Sequence, residues 1–161
     1  MTRSLLELME VHAELDELFA RHRDLVVELR FVAAAKALDD FIAALKKHMD
    51  AEETHILPLY EKRVGPILGG DPEFFRAEHR NLLKQLDAIR AKSRDLAANR
   101  AAGPRQAHEF LAAESMFLHL MDHHDRRERN TLYPELDKKL DERERAELLR
   151  LTAPRRARRR R

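Results

Sequence analysis

Two segments of the chain repeat one arrangement of side chains that can bind a metal ion. In each copy a histidine is followed four residues later by a glutamate and six residues after that by a proline. The copies are His48, Glu52 and Pro58, and His124, Glu128 and Pro134. Residues four apart on a helix share a face about one turn apart, so the imidazole and the carboxylate can reach the same ion. The repeat predicts a metal site.

Two further histidines interrupt stripes of apolar residues. His12 falls between Leu8 and Leu15, and His79 falls between Phe75 and Leu82. A single histidine on an apolar stripe is more often a satisfied core residue than a ligand, but a glutamate is seldom buried without a partner or a metal. Four histidines and two glutamates are enough for two ions in a bundle core. The predicted ligand set is His12, His48, Glu52, His79, His124 and Glu128.

The chemistry of this set favours iron. The chain has no cysteine, so only imidazoles and carboxylates are available, and disulfides are excluded. A mixed nitrogen and oxygen ligand set suits iron, while manganese and zinc remain alternatives that geometry must separate.

The elements that position these side chains are predicted to be long amphipathic helices. Of the 161 residues, 37% are charged, 43% are hydrophobic and only four are glycine, which is typical of such helices. We expect an all-α, antiparallel up-down-up-down four-helix bundle over residues 1–150, with a short C-terminal helix, followed by a disordered arginine-rich tail over residues 151–161.

The turns between helices can be predicted from the histidines. If histidines of adjacent antiparallel helices lie at one level, the turn falls near the midpoint of their numbers, because every helix rises by the same ~1.5 Å per residue. The midpoints fall near residues 30, 64 and 102. The last two coincide with Gly65-Pro66 and Gly103-Pro104, whereas no glycine or proline marks the first. Pro58 and Pro134 are each expected to kink or break a helix, because proline removes a hydrogen bond and clashes with the preceding turn.

Charge and hydropathy restrict the partners. The net charge is +2, and the arginines after Pro154 supply the excess, so the rest of the chain is acidic. Clustered arginine can neutralise phosphates, but no aromatic interleaving or recognition motif accompanies the tail, and we do not expect nucleic-acid binding. The first helix carries acids within its apolar pattern, which favours a cytoplasmic protein with neither a signal peptide nor a membrane anchor. The oligomeric state stays open.

Taken together, these motifs resemble the hemerythrin-like, or HHE cation-binding, domains over about residues 5–140. The resemblance rests on a single histidine in the first helix, two HxxxE motifs that precede Leu-Pro and Leu-Tyr-Pro, and Glu78-His79-Arg80. It implies a non-haem di-iron site, oxo- or carboxylate-bridged, in a four-helix bundle. Glu52 and Glu128 would be the bridges. His12 and His48 would bind one iron, and His79 and His124 the other.

One departure from the oxygen-carrying members of that family bears on function. Those proteins have a second histidine one turn after the ligand of the third helix, where this chain has Leu83. One iron should then be more open, which favours binding or turnover of O2, peroxide or nitric oxide over reversible O2 transport. A peroxide- or NO-handling oxidoreductase is compatible with this interpretation. The alternative is an iron- or oxygen-responsive sensor whose metal site controls stability and partner binding.

The remaining candidates are predicted to lie outside the ligand set. His55 shares the face of His48 but lies ~10 Å further along the axis. We expect His119 and His123 to point toward a neighbouring helix or solvent, and His22, His108 and Glu53 to be surface residues. A dry pocket over the metals is predicted from five apolar residues: Ile56, Phe75, Leu83, Phe117 and Leu120. Tyr60 and Tyr133 flank the two prolines as candidate hydrogen-bond donors.

Overall fold

The computed structural model describes residues 3–152, which form helices and connecting turns and contain no strand within that range. A 3-10 turn, Leu5–Leu8, precedes the first helix. The α-helices are α1 (Met9–Val27), α2 (Phe31–Ala51), α3 (Leu57–Arg63), α4 (Pro72–Ala98), α5 (Pro104–Ala113), α6 (Ser115–Arg127), α7 (Tyr133–Asp137) and α8 (Glu142–Thr152). Two π-helical segments, Glu52–Ile56 and Glu128–Leu132, join α2 to α3 and α6 to α7.

The three predicted turns are confirmed. They lie between α1 and α2, between α3 and α4, and between α4 and α5. The first turn, which no glycine or proline marks, is made by Leu29 with a φ of 60°. The Arg30 amide donates to the Leu25 carbonyl and the Leu29 amide to the Val26 carbonyl, the pattern of a Schellman cap. Leucine takes the left-handed position that glycine usually occupies, and this is why the sequence gives no signal there.

Pro58 and Pro134, each expected to kink or break a helix, do not break it. Each proline is the second residue of an α-helix that follows a π-helical segment without a gap. In that segment the hydrogen bonds run from residue i to residue i−5, as from the Leu57 amide to the Glu52 carbonyl and from the Tyr133 amide to the Glu128 carbonyl. The shift accommodates a residue that has no amide hydrogen. Each π-helical segment begins at one of the two predicted bridging glutamates.

Two other predicted helices are divided. The fourth helix of the predicted bundle is interrupted at Glu114, between α5 and α6. The predicted short C-terminal helix consists of α7 and α8 with a turn between them. α8 continues to Thr152, so residues 151 and 152 of the predicted tail are helical, and the rest of that tail lies outside the described residues.

The apolar core is divided into two clusters. The larger contains residues such as Phe19, Phe41 and Phe117, and the smaller contains residues such as Leu5 and Phe75. Apart from Met49, the larger cluster takes residues that follow the predicted ligand in α1 and α4 and precede it in α2 and α6. The smaller cluster takes residues on the other side of each ligand. The six predicted ligands therefore lie in a polar layer between two apolar clusters.

The helices that carry the polar layer pack against one another. α1 contacts α2, α2 contacts α4, α4 contacts α6, and α1 also contacts α5. Among residues 3–152, no helix combines the length and the apolar character needed to cross a membrane.

Candidate metal centre

All six predicted ligands meet in the polar layer. They divide into two groups that share both glutamates, one with His12 and His48 and the other with His79 and His124. Within each group the atoms that could bind a metal all lie within 4.8 Å of one another. The six side chains are at most 4% exposed. The groups have the membership that the sequence resemblance implies for two ions.

The imidazoles direct their Nε2 atoms to the centre of the layer. His48 Nε2 lies 3.0 Å from His12 Nε2, and His124 Nε2 lies 3.0 Å from Glu128 Oε1. His79 Nε2 lies 3.5 Å from Glu52 Oε2 and 3.8 Å from Glu128 Oε1. Six elements contribute to this point: α1, α2, α4, α6 and the first residue of each π-helical segment.

Four of these inward atoms have no hydrogen-bond partner among the described residues. They are Glu52 Oε2, His79 Nε2, His124 Nε2 and Glu128 Oε1. His124 Nε2 and Glu128 Oε1 are close enough for a hydrogen bond but lack its geometry. Buried polar atoms are nearly always satisfied, so unpaired donor and acceptor atoms that converge on one place need another explanation. A cation that accepts lone pairs from nitrogen and oxygen satisfies them, so the residues present fit a bound metal.

Carboxylates outside the layer orient three of the four imidazoles. Glu53 Oε1 accepts a hydrogen bond from His79 Nδ1 at 2.9 Å, and Glu78 Oε2 accepts one from His124 Nδ1 at 3.2 Å. Asp125 Oδ1 lies 2.9 Å from His12 Nδ1, at ion-pair distance but without hydrogen-bond geometry. A carboxylate on Nδ1 keeps the proton there and leaves the Nε2 lone pair for a metal.

The sequence reasoning missed these outer carboxylates. The predicted exposure of Glu53 is confirmed, yet its carboxylate also reaches His79, with Oε1 2.9 Å from Nδ1. Glu78 belongs to the Glu78-His79-Arg80 motif, and no motif includes Asp125. A signal was available: each of the three is the immediate sequence neighbour of a predicted ligand. A residue one step away is rotated by about 100° around the helix, which points it at a ligand from an adjacent helix.

Tyr133 closes one side of the layer. Its hydroxyl donates to Glu52 Oε1 at 2.5 Å and lies 3.3 Å from Glu128 Oε2 and 3.2 Å from His12 Nε2. Burial, with the negative charges of Glu128 and Glu52, raises the pKa of Tyr133 well above its usual range, so the hydroxyl stays protonated and donates. Tyr60 instead donates a hydrogen bond to the Gly70 carbonyl at 2.9 Å, so its hydroxyl holds the loop before α4.

The electrostatics of the layer favour positive charge. Burial alone would lower the pKa of His12, but Asp125 and Glu128 raise it to about 10. Burial likewise opposes protonation of His79, yet Glu128 and Glu52 raise its pKa to about 9. Burial would raise the pKa of Glu128, but the neighbouring histidines hold it well below its usual range. The glutamates therefore make a negative potential that a proton or a metal cation can satisfy.

The other histidines divide as follows. His108, His119 and His123 are exposed, and His55 is half-buried; none belongs to either group of candidate ligands. The prediction that His22 lies on the surface is wrong: it is fully buried between the Ala34 carbonyl and Glu114, each at 2.8 Å.

The five apolar residues predicted to form a dry pocket, Leu120 included, pack into the two apolar clusters instead. Ile56, Phe75 and Phe117 are fully packed, at most 1% exposed, and Leu83 is a half-buried residue of the larger cluster. The cavity that does reach a candidate ligand is lined by other residues of α1, α2 and α8 and includes His48.

Comparisons with known proteins agree with this geometry. A family model described as the hemerythrin HHE cation binding domain matches residues 4–136, which include all six candidate ligands. Neither the curated proteins nor the solved structures give a significant match.

Proposed function

This chain belongs to the hemerythrin HHE cation-binding domain family, and on that premise we propose that it holds two iron ions and binds or processes a small oxidant: O2, peroxide or nitric oxide. The observation that carries the proposal is the pair of overlapping ligand groups. Each group contains two imidazoles, and both groups include the same two glutamates. The layer is therefore suited to two ions bridged by carboxylates. The same nitrogen and oxygen donors could also bind manganese or zinc, but they suit iron better.

The proposed scaffold is an antiparallel four-helix bundle formed by α1, α2 with α3, α4, and α5 with α6. The distribution of core residues supports it: apart from Met49, the larger cluster follows the ligand in α1 and α4 and precedes it in α2 and α6. Such an alternation is expected when neighbouring helices run in opposite directions. The short interhelical turns also favour antiparallel neighbours.

Iron, when bound, would supply electrons and an open coordination position for a small oxidant. The chain's own residues would orient and protect that position. Leu83 lies one turn after His79 and offers no metal-binding atom, so His79 would be the only imidazole that α4 contributes. Glu53 and Glu78 hold the rings of His79 and His124 in place, and Tyr133 holds a proton next to both glutamates. The two apolar clusters exclude water from either side.

The experiment is an anaerobic iron loading followed by titration with O2, peroxide and nitric oxide, observed in the visible spectrum. We expect charge-transfer absorption to change with at least one oxidant, and His124→Ala to abolish that change. The matched control is His119→Ala, which removes an exposed histidine of the same helix and should leave the spectrum unaltered. An iron-loaded wild-type protein that is indifferent to all three oxidants would refute the proposed function.

A second candidate function is that of a sensor whose metal site controls stability. One observation favours it: the site joins four helices through side chains that are at most 4% exposed, so loss of the metal removes the cation from two buried carboxylates. Repeated turnover of peroxide without a partner favours the first candidate. A single stoichiometric response with a large change in protease resistance favours the second.

A further inference from the structure

The two candidate metal positions in the polar layer differ in their hydrogen bonds. We call them the α4–α6 position, which has the imidazoles of His79 and His124, and the α1–α2 position, which has those of His12 and His48. Both positions include the same two glutamates, so the negative charge of those carboxylates is common to both. A difference in metal affinity must therefore come from the contacts of individual atoms.

The atoms of the α4–α6 position are unpaired. Nε2 of each imidazole and one oxygen of each glutamate, Glu52 Oε2 and Glu128 Oε1, have no hydrogen-bond partner among the described residues. His124 Nε2 lies 3.0 Å from Glu128 Oε1, and His79 Nε2 lies 3.5 Å from Glu52 Oε2. A cation placed among these atoms displaces no hydrogen bond.

The atoms of the α1–α2 position are already paired. His12 Nε2 and His48 Nε2 share a hydrogen bond of 3.0 Å. The Tyr133 hydroxyl donates to Glu52 Oε1 at 2.5 Å and lies 3.3 Å from Glu128 Oε2 and 3.2 Å from His12 Nε2. Only Glu52 Oε2, 3.5 Å from His48 Nε2, is free to serve both positions. A cation at the α1–α2 position must separate the two imidazoles and compete with Tyr133 for the carboxylates.

The outer contacts of the imidazoles favour the same position. Glu53 and Glu78 accept hydrogen bonds from the Nδ1 atoms of the α4–α6 position at 2.9 and 3.2 Å. In the α1–α2 position, His48 Nδ1 has no partner among the described residues, and the carboxylate beside His12 Nδ1 lacks hydrogen-bond geometry. An outer carboxylate on a metal-binding imidazole changes metal affinity by about 10–100-fold. The α4–α6 position should therefore bind a metal more tightly.

We propose that the two metal positions fill in a fixed order, the α4–α6 position first and the α1–α2 position second, and that the Tyr133 hydroxyl opposes the second ion. The inference rests on the proposed function for its two ions. Tyr133 is a positioning residue here, because it competes with the second ion for the carboxylates and does not bind the metal. Over a range of iron concentrations the chain then holds one ion, and the two-ion centre forms only when more iron is present. The amount of available iron would thus control assembly of the centre.

The order can be tested without any oxidant. Anaerobic addition of Fe2+ in competition with a chelator measures the two affinities, and we expect dissociation constants that differ by at least about tenfold. Crystals with one equivalent of iron should show anomalous density beside His79 and His124 alone. His48→Ala should remove the weaker step and keep the tighter one, and His124→Ala should remove the tighter one. Equal density at both positions, or density first beside His12 and His48, would overturn the order.

The role of Tyr133 can be tested by removing its hydroxyl. In Tyr133→Phe the second ion no longer competes with a hydrogen bond to a charged carboxylate, so it should bind about tenfold more tightly, while the first ion binds as before. A merely structural tyrosine would weaken both steps when changed. Tyr60→Phe is the matched control and should match the wild type, because the Tyr60 hydroxyl donates to the Gly70 carbonyl outside the layer. A second step that is unchanged or weaker in Tyr133→Phe would overturn this role.

The same role can be observed in the wild-type protein, whatever the variant's stability. The chain has two tyrosines, and only the Tyr133 hydroxyl contacts the candidate ligands. The near-ultraviolet absorption of tyrosine should therefore change with the second equivalent of iron and not with the first. A change that is complete after the first equivalent, or no change after the second, would contradict competition between Tyr133 and the second ion.

Failure of this inference differs from failure of the proposed function. A protein that fills its positions in this order but is indifferent to O2, peroxide and nitric oxide supports the order and refutes the proposed function. A protein that reacts with one of these oxidants but takes up both ions together, with no one-ion state, refutes the order alone. A protein that binds no iron refutes both.

Discussion

At the scale of single residues, the metal centre depends on neighbours that do not themselves face the centre. Glu78 accepts a hydrogen bond from His124 Nδ1 and also pairs with Arg127 at 2.9 Å. The contact fixes the ring and increases the basicity of Nε2, so Glu78 acts through His124. Glu53 has the same relation to His79.

We therefore expect Glu78→Gln to weaken metal binding while the fold is retained. Loss of an outer carboxylate from a metal-binding histidine commonly costs about 10–100-fold in affinity. Competition with a chelator of known affinity measures the effect. Glu73→Gln, an exposed carboxylate on the same helix, is the control and should bind as the wild type does. Equal affinities for Glu78→Gln and the control would show that the contact has no role in binding.

The six candidate ligands could be predicted from sequence to lie together, while the carboxylates that contact their imidazoles could not. A polar residue that faces the core interrupts an apolar stripe. The 3.6-residue helical period of the sequence makes such an interruption visible, as it does at His12 and His79. Glu53 and Glu78 lie off the stripe of their own helix, so helical periodicity assigns them to solvent. Their role arises from the ring of a histidine on an adjacent helix, and a single helix carries no information about that contact.

At the scale of elements, the break between α5 and α6 is built around a buried pair. Glu114 is the residue at the break and is 0% exposed, as is His22 of α1, whose Nε2 lies 2.8 Å from Glu114 Oε1. His22 Nδ1 also contacts the Ala34 carbonyl of α2. One pair thus joins α1, α2 and the α5–α6 junction at a distance from the metal centre.

Glu114→Ala should destabilise the protein by about 3 kcal/mol, because removal of one partner leaves the other buried and unpaired. Urea denaturation of the metal-loaded protein measures the change in the free energy of unfolding. Glu109→Ala, an exposed glutamate on α5, is the control and should change it little. The double variant His22→Phe with Glu114→Met should regain part of the loss, since apolar groups of similar size need no partner. A single variant as stable as the control would contradict this role.

The helix count was harder to predict than the helix content. Glu114 sits in a segment whose apolar pattern continues across it from Phe110 to Phe117, so nothing in the sequence marks the break. Pro58 and Pro134 show the opposite case, because a proline within a helical pattern predicts a kink or an end, whereas the helical backbone continues through both. Their π-helical segments depend on the shifted hydrogen bonds that begin at Glu52 and Glu128. π-helical segments are frequent at functional sites, which agrees with their position here.

At the scale of the whole molecule, the free energy of unfolding should depend on whether protons or metal ions occupy the polar layer. Without metal, protons take the place of cations at His12 and His79, whose pKa values are raised to about 10 and about 9 from 6.5. The folded state then binds these protons more tightly than the unfolded state does. The stabilisation is complete below about pH 6.5 and is lost as the pH rises through the folded-state values.

The free energy of unfolding of the metal-free protein should therefore fall between about pH 6.5 and about pH 10. The metal-loaded protein should lose less stability over this range. Metal and protons compete for the same nitrogen atoms, so the metal binds more tightly as the protons leave. Denaturation curves across the range give both quantities. In the metal-free protein, His12→Gln should reduce the slope. Stability that rises with pH in the metal-free protein would contradict the electrostatics described for the layer.

The most direct test of the account is the number of metal ions per chain. Protein produced with ample iron and purified without oxygen would be assayed by elemental analysis, and we expect about two ions per chain, as in bundle cores with this ligand set. Because both groups share both glutamates, Glu52→Ala should lose both ions, whereas His12→Ala should lose chiefly one, and His119→Ala should lose none. A folded wild-type protein without metal, or Glu52→Ala with its metal content intact, would contradict the central claim.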